Sequence, residues 1–415
     1  MSIYLQFWKA MIRQVLIGPR IYYVWLGFLG VLMLIGASGY YYQCRDGLIV
    51  TNMSDQVSWG AYIANFTYIV GLAAAAVMLV IPAYVYKIKP MKEVMLIGEL
   101  FAISAIVMCL LFVTVDMGRP DRFWHLIPKL GRMNWPVSML SWDVIVLNVY
   151  LLINLHIPGY LLYKKYRGQP PTEAYYMPFV IISVFWAVSI HTVTAFLYAG
   201  LGGKPFWNSA VIAPRFLASA FAVGPSFILL ILQVIEKYSS FKVEHEVYRV
   251  LKRIIAITLI INMFLLASEI FKEFYTDSAH SASAKYLFTG LDGYHLLVPF
   301  IWVAIALNVI ATVIYASPQW SRGMRNANIA SVCAIVGIWI EKGMGLIIPG
   351  FIPSPLGTIV EYSPSLVELA VCLGIWATGF FVFTLLLKAA LPIEMGTVRY
   401  REETFDFPRS GTPWS

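Results

Sequence analysis

The chain has 415 residues, 60% of them hydrophobic and 13% charged, with a mean hydropathy of +0.73. Soluble globular proteins carry about 25% charged residues, so these values exclude a soluble enzyme and point to an integral membrane protein. The net charge of +8 sits in loops between apolar runs; it reads as membrane topology, and no nucleic-acid partner is expected.

The opening stretch, MSIYLQFWKAMIRQVLIGPR, lacks a compact apolar core followed by a small-residue cleavage site. It is not read as a signal peptide, and the first span is expected to serve as the insertion signal and remain. A crossing helix needs roughly 20 apolar residues, and the length allows about ten. The spans are placed at 21–43, 56–86, 92–115, 137–163, 175–200, 211–236, 249–274, 290–316, 327–349 and 364–391. Charge clusters, Pro or Gly bound each of them. Residues 1–391 are therefore read as one polytopic all-α domain. Residues 392–415 form a polar tail without helical period, expected to lie along a cytoplasmic partner or to be disordered.

Most of the Lys and Arg residues fall in the terminal segments and the even-numbered loops. The positive-inside rule then places both termini in the cytoplasm and the loop after the third span on the outer side, the periplasm of a bacterium. That loop, Asp116 to Asp143, is itself basic and rich in Trp, which suggests a docking surface. The four cysteines, Cys44, Cys109, Cys333 and Cys372, form no CxxC pair. They are read as packing residues, and no iron–sulfur cluster or metal is expected in this chain.

Charges inside lipid cost about 2.5–3.5 kcal/mol each on insertion scales, so their depth is informative. Asp116 ends the third span. Asp143 lies about 10 Å deep in the fourth, and His191 about 13 Å from the outer end of the fifth, at ~1.5 Å per residue. Arg215, Glu269, His295, Glu341 and Glu368 also fall near outer ends. Glu99, His156 and Glu236 are the main groups in the cytoplasmic half. This lopsided polar interior suits a small redox molecule that enters from lipid and exchanges protons. A quinone needs hydrogen-bonding groups at its two oxygens, a proton acceptor and an apolar cleft. His191 with Asp143 or Asp116 supplies the polar part, and Trp59, Tyr62 and Trp142 can line the ring pocket. Depth alone also allows structural pairs, Asp116 with Arg119 and Asp143 with Arg215. Bis-His haem is not expected, because no helix carries two histidines and His156 lies far from His191 and His295.

The stretches QVSWGAYIANFTYIVGLAAAAV, DMGRPDRFWH, WPVSMLSWDV, SIHTVTAFLYAG and KPFWNSAVIAPRFLASAFAVGPSF resemble the NrfD, or polysulfide-reductase membrane-subunit (PsrC-type), family of quinone-interacting proteins. The resemblance covers nearly the whole chain. Within the family it is strongest to the DsrP subunits of sulfite-reduction-associated DsrMKJOP complexes. It implies two four-helix bundles, helices 2–5 and 6–9, flanked by helices 1 and 10. It implies an exchangeable menaquinone or menaquinol near the periplasmic face and no redox metal in this chain. A periplasmic ferredoxin-like iron–sulfur subunit would dock on the 116–136 and 201–210 loops. A multihaem cytochrome c, a haem b membrane subunit and a cytoplasmic iron–sulfur subunit would complete the complex.

The resulting expectation is a quinone site in the outer half of helices 2–5. His191, Asp143 and Asp116 would handle protons, with Trp59, Tyr62, Asn65, Trp142 and Arg215 around the quinone. A proton path would involve Glu99, His156, Glu269, His295 and Glu341. Two rival classes remain: a secondary transporter, for which the Gly224-Pro225 step offers the only helix break in view, and a structural anchor for periplasmic redox subunits.

Overall fold

A computed structural model describes residues 2–276, 278 and 281–400. Among the described residues the protein is helical, without a strand, and ten helices are long and apolar enough to cross a membrane. A short helix, α1 (Ile3–Leu16), precedes them. The spans are α2 (Arg20–Asp46), α3 (Ala61–Val85), α4 (Lys89–Asp116), α5 (Met139–Tyr166), α6 (Glu173–Ala199), α7 (Ile212–Tyr238) and α8 (His245–Thr276). After the short helix α9 (Ala282–Phe288) come α10 (Val298–Ala316), α11 (Met324–Phe351) and α12 (Leu366–Glu394).

Most boundaries agree with the sequence reading to within a few residues. The eighth span starts later than expected, at Val298. The reason is local: Gly290, Asp292 and Gly293 all adopt positive φ, which a right-handed helix cannot contain. The loop of residues 117–138 joins α4 to α5 at the end of the molecule opposite α1. That end is called the loop face below.

The helices are apolar on all sides, so burial rather than pattern ranks them. α3 and α4 form the centre, with 82% and 78% of their apolar windows buried, against 17% for α2 at the edge. α3 packs on α4, α6 and α7; α4 continues to α5 and α5 to α6. α7 contacts α8 and α11, and α10 contacts both α8 and α11. α2 and α12 pack together along their length, with α12 also against α4. Gly36 and Gly374 permit the α2–α12 contact. A Cβ on Gly36 would stand 2.5 Å from the Gly374 Cα, so only paired glycines allow this approach.

Two spans are interrupted. α3 is regular to Ala73 and then passes through 3-10 and wider turns around Pro82. α11 is regular to Lys342 and breaks at Gly343. The Gly224-Pro225 step, which a transporter reading would use as a break, does not interrupt its helix, and α7 runs through it. Helix-interior proline is tolerated where neighbouring helices re-satisfy the backbone.

At the other face, Phe7 of α1 is buried against Tyr163 and Tyr166, at 5.4 and 5.5 Å. The polar tail begins later than expected, because α12 continues to Glu394. Lys165 pairs with Glu394 at 2.5 Å, and the Tyr400 amide donates to the Tyr166 carbonyl at 2.7 Å. The start of the tail is thus fastened to the end of α5. The rest of it, 401–415, lies outside the described residues.

Candidate functional site

Asp143 and His191 sit on the neighbouring helices α5 and α6 and are 1% and 0% exposed. Thr194 Oγ1, three residues after His191 and on the same helix face, donates to Asp143 Oδ1 at 2.7 Å. It also lies 2.8 Å from the Ile190 carbonyl. One hydroxyl hydrogen faces two acceptors, so this pair accommodates Asp143 with or without a proton. An ionised Asp143 accepts from Thr194. A protonated one donates, and Thr194 turns its hydrogen to Ile190. His191 Nδ1 lies 3.0 Å from the Ala187 carbonyl. A carbonyl only accepts, so that contact places the ring hydrogen on Nδ1 and leaves a lone pair on Nε2. His191 Nε2 and Asp143 Oδ2 are both buried and both without a partner. Buried polar atoms are almost always hydrogen-bonded, so these two ask for a ligand or water.

An aromatic cluster gathers around Tyr198, about two helical turns beyond His191 on α6 toward the loop face. Trp59 stacks on Trp207 at 5.7 Å and meets Tyr198 and Phe351 edge-on. Trp207 is fully buried, and its indole N–H donates to the Leu346 carbonyl at 2.8 Å. Tyr198 and Thr67 share a hydrogen bond between α6 and α3. Gly350 makes room for the cluster, since a Cβ there would overlap the Trp207 ring.

The other residues expected around a quinone are placed differently. Tyr62 is buried and donates to Gln43 Oε1 at 2.7 Å, while Gln43 holds the Val115 carbonyl at 2.5 Å. Asn65 is saturated: its amide donates to the Ala61 carbonyl and to Cys372 Sγ, and its oxygen accepts from Trp339 and Trp376. It ties α3 to α11 and α12. Trp142 faces the loop, donating to the Pro136 carbonyl at 2.8 Å beside Trp135. Asp116 does not pair with Arg119. Arg119 takes Asp121 at 2.9 Å, and this hydrogen-bonded pairing holds the Asp121 carboxyl below the usual range. Asp116 Oδ1 is buried and partnerless, within electrostatic reach of Glu368. Glu368 caps α12 through Ser365 and accepts from the Asn52 amide and from Tyr362. Burial beside Glu368 pushes the Tyr362 phenol up.

Arg215 does not reach Asp143. Its two terminal nitrogens bind Glu269 of α8 and, at 2.8 Å, Glu341 of α11. Asn308 of α10 donates to the other Glu341 oxygen at 2.7 Å. Lys342 follows at the helix break, 6% exposed, with Nζ 3.0 Å from the Phe216 carbonyl and 4.0 Å from its ring centroid. These residues form a second polar group, among α7, α8, α10 and α11. Glu99, on α4, is 3% exposed with a partnerless Oε2. His156 packs on Phe179 at 4.6 Å with the rings tilted by 54°. His295 lies exposed in the loop before α10, outside any span.

The family profile described as "Polysulphide reductase, NrfD" matches residues 49–353. The chain belongs to the NrfD family. This NrfD protein is 24% identical to the Hdr-like menaquinol oxidoreductase integral membrane subunit of Archaeoglobus fulgidus, over 86% of this chain and 91% of that one. It is 23% identical to a putative dimethyl sulfoxide reductase membrane subunit of Halobacterium salinarum, over 86% and 88%. It is also 23% identical to the menaquinone reductase integral membrane subunit of Nitratidesulfovibrio vulgaris, over 53% and 55%.

Of the site residues named from sequence, His191 and Asp143 sit on adjacent helices of this NrfD protein, and Trp59 joins the aromatic cluster around Tyr198. Arg215, Glu269 and Glu341 come together in the second group. Sequence reasoning misses Thr194, Tyr198, Thr67, Trp207 and Lys342. Thr194 carries a signal, its i+3 spacing from His191. Lys342 carries one too: adjacent charges, Glu341-Lys342, just before a glycine in an apolar run.

Proposed function

We propose that this chain is the quinone-interacting membrane subunit of a respiratory redox complex. It exchanges electrons between a menaquinone pool and redox partners on the loop face, which the distribution of Lys and Arg assigns to the periplasm. One observation carries the reading: His191 Nε2 and Asp143 Oδ2, buried on adjacent helices and left without partners. The Archaeoglobus and Nitratidesulfovibrio relatives, integral membrane subunits of a menaquinol oxidoreductase and a menaquinone reductase, support it.

A bound quinone supplies two-electron, two-proton redox chemistry. The chain supplies what that chemistry lacks in lipid. His191 Nε2 accepts a hydrogen bond or a proton, while the Ala187 carbonyl fixes the ring. Asp143 exchanges a proton with Thr194 turning to match. The Trp59, Tyr198, Trp207 and Phe351 rings exclude water. We read α3–α6 and α7, α8, α10 and α11 as two bundles, with the quinone in the first. Asp116 sits between the site and the loop face. Glu99 and His156 are a cytoplasmic-side proton path in this reading. The ferredoxin-like subunit docks on the 116–136 and 201–210 loops; in the first, Phe123, Trp124, Leu130 and Trp135 are exposed. The resemblance of residues 56–85 to sulfite-linked subunits supports a role in dissimilatory sulfur metabolism, with multihaem cytochrome c, haem b and cytoplasmic iron–sulfur partners.

The test is a titration of the purified complex with a soluble menaquinol analogue, read by fluorescence quenching. Wild type is expected to bind, and His191→Ala and Asp143→Asn to lose binding. A wild type that binds no quinone removes this reading. The breaks in α3 and α11 favour a second one, secondary transport, because discontinuous helices recur at transporter binding sites. Substrate uptake into proteoliposomes is its assay.

A further inference from the structure

We propose that Lys342, Glu341, Glu269 and Glu273 form a proton relay that joins the His191–Asp143 site to the loop face through the second group of helices. The proposal rests on the quinone reading above and adds a route to it.

The inner end of the relay is Lys342. Its Nζ lies 4.0 Å from where a Cβ on Gly71 would stand, so the ammonium faces the backbone of α3, the central helix of the first group. It is within electrostatic reach of His191. The break at Gly343 brings this buried lysine there, at the end of the regular part of α11. Its neighbour Glu341 points to the other side and meets Arg215 and Asn308. Lys342, whose own hydrogen bond goes to the Phe216 carbonyl, thus stands between two polar groups that share no hydrogen bond among the described residues.

The middle of the relay is built to change protonation without losing its shape. Arg215 is held by Glu269 as well as Glu341. Glu341 can take a proton while Glu269 still pairs the guanidinium, so no buried cation is stranded. Two water-sized cavities flank the pair. One is lined by Ser219, Arg215, Glu341 and Lys342, the other by Arg215, Glu269, Glu273 and Glu341. Each has several polar groups able to hold a water, the condition for a bridging water. The two cavities share Arg215 and Glu341, so the carboxylate at their junction faces both.

The outer end is Glu273, one helical turn beyond Glu269 on α8. It pairs at 2.7 Å with Lys272, whose side chain is 54% exposed, at the loop-face end of α8. Oxidation of a quinol yields two electrons and two protons. The electrons leave to one-electron carriers, iron–sulfur or haem, in the partner subunits. The two protons leave in turn by the same route. Each is taken at His191 Nε2 and replaces one that Lys342 has handed to Glu341. Glu341 passes its proton through the second cavity to Glu269 and Glu273, which releases it to water at the loop face. The charge added by each proton is cleared when that proton leaves at the loop face, every group then regains its starting state, and the same steps run backward for quinone reduction.

The experiment uses the intact complex and two readouts. Site occupancy is measured with a fluorescent hydroxyquinoline N-oxide quinone analogue. Electron entry is measured as stopped-flow reduction of the complex's own redox centres by menadiol. Lys342→Met and Glu341→Gln are expected to bind the analogue like wild type and to slow electron entry roughly 10- to 100-fold, the size of a lost proton-transfer group. Imidazole or another permeant buffer is expected to restore part of the rate, which a structural role would not allow. Glu273→Gln, which leaves both Arg215 pairs in place, is expected to slow it less, with the same rescue. Wild-type rates in Lys342→Met and Glu341→Gln, or joint loss of binding and rate without rescue, overturn the relay. A wild type that fails to bind the analogue overturns the quinone reading itself.

Discussion

The sharpest perturbation is Arg215→Met. Arg215 is 14% exposed in its side chain, and its partners Glu269 and Glu341 are 11% and 2% exposed. Removing the guanidinium leaves Glu341 with a single neutral donor, Asn308, and leaves Glu269 facing it in a low-dielectric interior. Breaking a buried ion pair by deleting one partner costs about 3–5 kcal/mol, because the stranded charge keeps its desolvation penalty. Two carboxylates are stranded here, so the upper part of that range is expected. Glu269→Gln is expected to cost less, since Arg215 keeps Glu341 and the site is more open. Replacing all three residues together, Arg215→Met with Glu269→Leu and Glu341→Met, is expected to recover most of the loss, because apolar substitutes for a whole buried ion cluster are close to neutral. The assay is thermal unfolding of detergent-solubilised complex, followed by tryptophan fluorescence at matched detergent. An Arg215→Met variant as stable as wild type, or a triple variant as unstable as Arg215→Met, would refute the reasoning. The first result would mean that solvent reaches the cluster and screens it, and the second that the loss comes from packing and not from stranded charge.

Further outcomes follow from single contacts. His191→Ala is expected to abolish menadiol-driven reduction of the complex while assembly persists on a native gel; unchanged turnover removes His191 from the chemistry. Gly36→Leu is expected to separate α2 from α12 and destabilise the protein by about 1–3 kcal/mol, as overpacking does, read as a lower melting temperature. Tyr362→Phe removes a buried hydroxyl that donates to Glu368 and accepts from the Ala61 amide at 2.8 Å. A loss of about 1–3 kcal/mol is expected, again read by melting. Ser365→Ala deletes half of the capping box of α12, with an expected cost of about 1 kcal/mol.

Much of this protein is legible in the order of its residues. Apolar runs long enough for lipid must become helices, since no other segment satisfies its own backbone there. The ten spans, their near boundaries and the clustering of ionisable groups toward one face therefore follow from composition and spacing. His191 and Asp143 are visible because a charge in lipid demands a reason. Pairing is not visible. Depth matches Arg215 to Asp143, yet depth says nothing about which side of a helix faces which neighbour. The fold turns Arg215 to α8 and α11, where Glu269 and Glu341 wait, and leaves Asp143 to Thr194. Asn65 is expected near the quinone, but the packing of α3 against α11 and α12 commits all its hydrogen bonds to two indoles, a backbone carbonyl and a thiol. The break in α11 is also hidden, because a glycine in an apolar run is common; in the fold a Cβ at Gly343 would meet the Trp339 carbonyl at 2.5 Å and the Ala64 carbonyl of α3 at 3.4 Å. Sequence determines what must be buried in lipid, since transfer energies act residue by residue. Tertiary structure decides which buried group answers which, since that depends on helix rotation set by packing across the whole molecule.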